Sequence, residues 1–127
     1  MRLSEIKELL EGRLGATEFR ASNATALLEY GELSKKRGAA ISIRVEGDVD
    51  LLVTLEHVAR ACELRISEDL LPEELAYMAD VLQLSDRVDF QSEELAQHIS
   101  EFTDPEINGP FTSQQAKEIL DEIRKGT

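Results

Sequence analysis

Apolar residues recur every three or four positions in several separate stretches of this chain, and that period narrows its fold more than any other feature. Leu75, Met78, Ala79 and Leu82 follow Pro72, a residue suited to a first helical turn, and define a helix over 72–84. Leu3, Ile6, Leu10 and Leu14 mark an N-terminal helix, with Glu5, Glu8 and Glu11 off its stripe and Gly15 as its end. Leu51, Leu55, Val58, Ala59 and Cys62 share one face of a helix over about 50–65. Ser92 is placed to cap a helix that runs to Phe102 with Leu95, Ile99 and Phe102 inward. Thr112 and Gln115 have capping-box spacing ahead of Ala116, Ile119, Leu120 and Ile123. Residues 16–38 are less regular. Phe19, Ala24, Leu27, Leu28 and Leu33 trace a helix that Gly31 interrupts, and Lys35-Lys36-Arg37-Gly38 reads as its basic end.

A different period appears once. Ala40 to Glu46 alternates apolar and polar residues, as a half-buried strand does, and Gly47-Asp48 closes it. Leu51-Leu52-Val53 leaves room for a hairpin strand, and Val88-Asp89-Phe90 is either a short edge strand or a linker. Asp104 to Pro110 is rich in turn residues. The expected fold is α+β and helix-dominated, a single compact domain over 1–127 with about five helices and a small β element. With 127 residues, 42% of them hydrophobic, the chain can bury a core without staples. Leu75, Leu82, Leu95, Ile99, Ile119 and Ile123 are expected in that core.

Charge excludes several functions. Against 14 Lys and Arg stand 26 Asp and Glu, a net charge of −12. Phosphate backbones and anionic membranes both demand a basic surface, so neither nucleic acid nor membrane is an expected partner. The start, Met1-Arg2-Leu3-Ser4-Glu5, enters a charged amphipathic pattern rather than a secretory leader, which points to a cytoplasmic address. Cys62 is the sole cysteine, so no intramolecular disulfide forms, and its place on an apolar face makes it a core residue. His57 and Cys62 lie five apart, rotated by about 140° on a helix, and share no face. His98 follows Glu94 by four, the spacing of a solvated helix contact. No metalloprotease, phosphate-loop, nucleophile-elbow or EF-hand spacing occurs. No catalytic residue, metal or cofactor is therefore expected.

The distribution of charge carries more information than its total. Residues 1–65 hold 11 acids and 10 bases, whereas residues 66–116 hold 12 acids and the single base Arg87. Glu73, Glu74, Glu93 and Glu94 fall in first helical turns, where the positive end of the helix dipole favours them. The others repel one another, at a cost in stability that either solubility or a cationic partner explains. Asp80, Asp86, Asp89, Asp104 and Glu106 are the candidate partner-binding acids, because no helix N-terminus accounts for them. Asp80 is expected to project outward beside Tyr77, which then serves as the apolar anchor of the contact.

Glu74 to Leu82, Asp86 to Phe90 and Asp104 to Thr112 together resemble the C-terminal half of small acidic immunity proteins encoded beside bacterial polymorphic toxins, including contact-dependent growth inhibition systems. The likeness is to a pattern of acidic helices around a Pro/Gly loop. It implies a non-enzymatic toxin inhibitor that binds one cognate toxin in the cytosol, often a basic nuclease, and blocks its active site or substrate surface. A small acidic secretion chaperone holding an effector segment is the alternative, and an enzyme of unrecognised type a third reading.

Overall fold

In the computed structural model, which describes residues 1–34, 45–103 and 111–125, the periodic stretches fold as helices around one buried cluster running from Met1 to Ile123. α1 (Leu3–Leu10) buries Leu3, Ile6, Leu9 and Leu10. It ends earlier than Gly15, because Gly12 takes φ +81°, the left-handed conformation that glycine tolerates best. The N–H groups of Gly12 and Arg13 return to the carbonyls of Leu9 and Glu8 at 3.2 and 2.8 Å, a Schellman termination.

The stretch expected as one helix interrupted at Gly31 is two helices, α2 (Ala16–Ser22) and α3 (Ala24–Ser34). They divide at Asn23, whose Nδ2 donates to the Phe19 carbonyl at 2.9 Å and competes with the backbone ladder. Gly31 sits within α3, where glycine costs about 1 kcal/mol relative to alanine. The basic stretch Lys35 to Gly38 and residues 40–44 of the expected strand lie outside the described residues. Glu46, at that strand's end, bridges in parallel to Arg2, with Leu3 N–H donating to the Glu46 carbonyl and Glu46 N–H to that of Met1, both at 3.0 Å.

β1 (Leu51–Val53) takes the first residues of the helix expected at 50–65, and α4 (Leu55–Ile66) follows it. The switch happens at Thr54. Its Oγ1 accepts the His57 N–H at 3.4 Å, while its own N–H donates to His57 Nδ1 at 3.1 Å, a capping box that fixes the first helical turn. Among the described residues β1 has no hairpin partner. It pairs in parallel with β2 (Val88–Phe90), Leu51, Leu52 and Val53 lying in register with Val88, Asp89 and Phe90. Parallel strands need a crossover, which α4 and α5 (Pro72–Leu84) supply.

α6 (Glu93–Glu101) starts at Ser92, whose hydroxyl accepts the Leu95 N–H at 3.3 Å. α7 (Ser113–Lys125) follows Thr112, which accepts the Gln115 N–H at 3.1 Å and donates its own to Gln115 Oε1 at 2.9 Å. The described residues thus hold seven helices and one two-stranded sheet, an α+β fold dominated by helix. α7 packs chiefly on α4. α5 is the central element, buried at Leu75, Ala76, Tyr77, Met78, Ala79, Val81 and Leu82, as befits a helix that is apolar nearly all round. Leu75, Leu82, Leu95, Ile99, Ile119 and Ile123 are all buried. Among the described residues no helix is long and apolar enough to cross a membrane.

Candidate functional site

Part of the acidic block serves the fold. Glu74 is buried on α5 and receives a fork from Arg20 of α2, Nε to Oε2 at 2.6 Å and Nη2 to Oε1 at 2.8 Å. Glu74 Oε1 also accepts the Leu71 N–H at 2.8 Å, and Arg20 donates to the Asp69 carbonyl at 2.8 Å. A carboxylate so enclosed is a clamp between two helices. Arg87, the block's only base, donates through Nε to Asp50 Oδ1 at 2.8 Å and holds that carboxyl below its usual range. Asp48 is likewise held low, first by the hydroxyl of Ser4 at 2.5 Å, and it accepts the Ser4 N–H at 3.0 Å in the first turn of α1.

The candidate binding residues separate. Tyr77 is 2% exposed, so the expected surface anchor is in fact a core side chain. Tyr77 lies in the run Leu75-Ala76-Tyr77-Met78-Ala79, which leaves α5 no polar face at that position. Asp80 is half-buried, toward the solvent-facing side of α5 that also carries exposed Glu73, Gln83 and Leu84. Asp86, after α5, and Asp89, in β2, are exposed. Asp104 and Glu106 lie outside the described residues.

An exposed apolar side chain stands elsewhere. Leu52 is 51% exposed and stands in register with Asp89, while Leu51, Val53 and Val88 face the core. In-register residues of paired strands share a face, so Leu52 and Asp89 stand together on the outward side of the sheet. A groove of about 630 Å³ beside Leu52 is lined also by Glu11, Asp50, Glu56 and His57, with Lys7 as its one cation among the described residues. An exposed aliphatic side chain among carboxylates is equipped to seat a partner's apolar group while the acids attract its charge. Within the run Leu51-Leu52-Val53, Leu52 is indistinguishable from a core residue until the strand alternation turns it outward.

The two side chains nearest to nucleophilic chemistry have structural roles. His57 accepts at Nδ1 from Thr54, so its proton is on Nε2, which points to Glu11 Oε2 at 3.2 Å. Cys62 is fully buried, and burial, with the charges of Glu63 and Glu101 adding to it, pushes its thiol up to about 12. It is protonated at neutral pH and a poor nucleophile. Among the described residues no group of three His, Cys, Asp or Glu side chains is arranged to hold a metal ion.

His98 departs from its expected solvated contact. It is 5% exposed, with Nδ1 3.5 Å from Glu101 Oε2. Nε2 stands 3.8 Å from Glu94 Oε1 and 3.9 Å from Glu122 Oε2. Glu94 matches the helical spacing visible in the sequence, whereas Glu122 arrives from α7 only through the tertiary fold. No protein-family model matches the chain, and comparison with curated proteins and with solved structures finds no relative of it.

Proposed function

We propose that the protein is a non-enzymatic immunity protein, binding a cognate toxin domain with a basic surface and neutralising it through its acidic face. One observation carries the reading: Leu52, half-exposed, stands beside exposed Asp89 on the outward face of the sheet, with Asp86 just before β2. These acids belong to the segment that holds 12 acids and one base, and Arg87 is engaged by Asp50. An acidic surface of this kind mimics the polyanion that a nuclease's cationic groove accepts. Complementary charge also raises association toward about 10⁸–10⁹ M⁻¹s⁻¹ at low salt. The partner contact then has Leu52 as its apolar centre and Asp86 and Asp89 as steering charges, with half-buried Asp80 contributing from α5.

The test begins with capture of a folded, basic protein from the native host and continues with kinetics on that pair. Asp80, Asp86 and Asp89 reversed together to Lys should slow association and flatten its salt dependence, and Leu52→Ala should speed dissociation. A triple variant that associates as fast as the wild type at low salt refutes the assignment. Preferential binding of an extended effector peptide, insensitive to salt, would favour the secretion-chaperone reading instead.

A further inference from the structure

The cleft between α6 and α7 differs in construction from the open acidic face. It encloses about 200 Å³, with Leu55, Leu95 and Ile123 as apolar walls and Glu94, His98 and Glu122 as its ionisable lining. Small-molecule sites run from about 300 to 1,000 Å³, so this space suits one inserted side chain better than a whole ligand. His98 is 5% exposed, and its Nε2 is shielded from solvent without a hydrogen-bond partner. That is an uncommon state for a buried polar atom. Its other nitrogen, Nδ1, is turned to Glu101, which does not line the cleft. In the tautomer that carries its proton on Nδ1, Nε2 presents a lone pair toward Glu94 Oε1 and Glu122 Oε2, which stand 3.8 and 3.9 Å away. In that tautomer three acceptors meet there, and among the described residues no Lys or Arg lines the cleft.

We infer that the cleft receives a lysine side chain of the partner protein, an inference that rests on the cationic-partner reading above and deepens it. An ammonium has three donors and no acceptor, which matches the nitrogen and two carboxylates approaching from two helices. A planar guanidinium is better matched to the two oxygens of one carboxylate. The four-carbon stem of lysine is apolar and packs on Leu55, Leu95 and Ile123, as long cationic side chains do on apolar surface.

The test needs no knowledge of the partner. The probes are acetyl-Ala-Lys-Ala-amide and the same peptide with norleucine in place of lysine, titrated to tens of millimolar into the labelled full chain while the His98 ring is followed by NMR. The lysine peptide should shift the His98 resonances saturably and the norleucine peptide should not. Glu94→Gln with Glu122→Gln, both at exposed side chains, should weaken the response about tenfold without altering the circular dichroism. Absence of a lysine response overturns the inference, as does an equal response to both peptides. So does an imidazolium that already donates from Nε2 to a carboxylate in the free protein, or stoichiometric zinc binding that abolishes the lysine response. The two readings fail separately. A toxin that binds the double Gln variant as tightly as wild type removes the cleft and spares the function. A lysine-responsive cleft on a chain whose Asp80, Asp86 and Asp89 reversal leaves its captured partner unaffected removes the function and spares the cleft.

Discussion

Cys62 gives the sharpest stability prediction, because a buried group with no part in the proposed interface should make the fold sensitive to alkali. Burial raises its thiol to about 12, against about 8.5–9 for an exposed thiol. The folded state therefore keeps a proton that the unfolded chain releases. Stability from this source is complete below about pH 8.5 and is lost as pH rises toward 12, since the unfolded state binds fewer protons throughout that window. Three pH units at 1.36 kcal/mol each make roughly 4 kcal/mol over the whole range, and roughly 2–3 kcal/mol is gone by about pH 10.5. Other groups titrate in the same range, so the measurement is a difference. Urea unfolding of the wild type and of Cys62→Ala is followed between about pH 8 and 10.5. The packing lost on removing the sulfur is a constant offset. The wild type's free energy should fall relative to the variant's by the stated amount as the pH is raised. Two curves that stay parallel would show that Cys62 ionises as readily folded as unfolded, and the burial argument would be wrong.

Leu95→Ala and Ile119→Ala each empty part of the packed interior and should cost about 2–5 kcal/mol, read from the shift in urea midpoint. Arg20→Ala leaves the Glu74 carboxylate buried without its fork. The pair is half-open to solvent on the arginine side, which reduces the cost of a fully buried break to about 1–3 kcal/mol, and Glu74→Gln in the Arg20→Ala background should recover part of it. Ser92→Ala removes the cap of α6 and should cost about 1 kcal/mol, with Ser92→Thr close to neutral. Tyr77→Ala should lower the melting temperature strongly, whereas Leu52→Ala should barely change it, the reverse of what a surface Tyr77 requires.

Helix periodicity and capping chemistry were legible residue by residue: Pro72 opens α5, Ser92 caps α6, and Thr112 with Gln115 opens α7. These signals are local, and their hydrogen bonds close within one turn. What lay hidden depends on distant residues. Leu51 to Val53 fits both a helix stripe and a strand, and only pairing with residues 88–90 decides between them. The stripe Leu75, Met78, Ala79 and Leu82 suffices for one buried face and so predicts Tyr77 at the surface, yet Ala76 and Val81 make α5 apolar on a second. The site was legible in its charge and not in its geometry. Asp86 and Asp89 are exposed, as a binding role requires, but the cleft at His98 joins Glu94 to a residue of another helix, which no spacing rule reports.

The parallel pairing of β1 and β2 also constrains the order in which the chain assembles. A hairpin forms in microseconds from its own turn, but these strands cannot meet until residues 54–87 have closed a long loop between them. Closure costs less once α4 and α5 are folded against each other, so strand registration is expected on the downhill side of the folding barrier. Weakening the strand pair, as in Val53→Ala, should therefore quicken unfolding more than it slows folding. The Leu51 and Gln91 amides, which donate across this pair to the Arg87 and Val53 carbonyls, would mark its opening in hydrogen exchange. The outward face carrying Leu52 and Asp89 is thus expected to be finished last, and a chain caught before that step would already have its helices while still lacking the surface proposed to meet a partner.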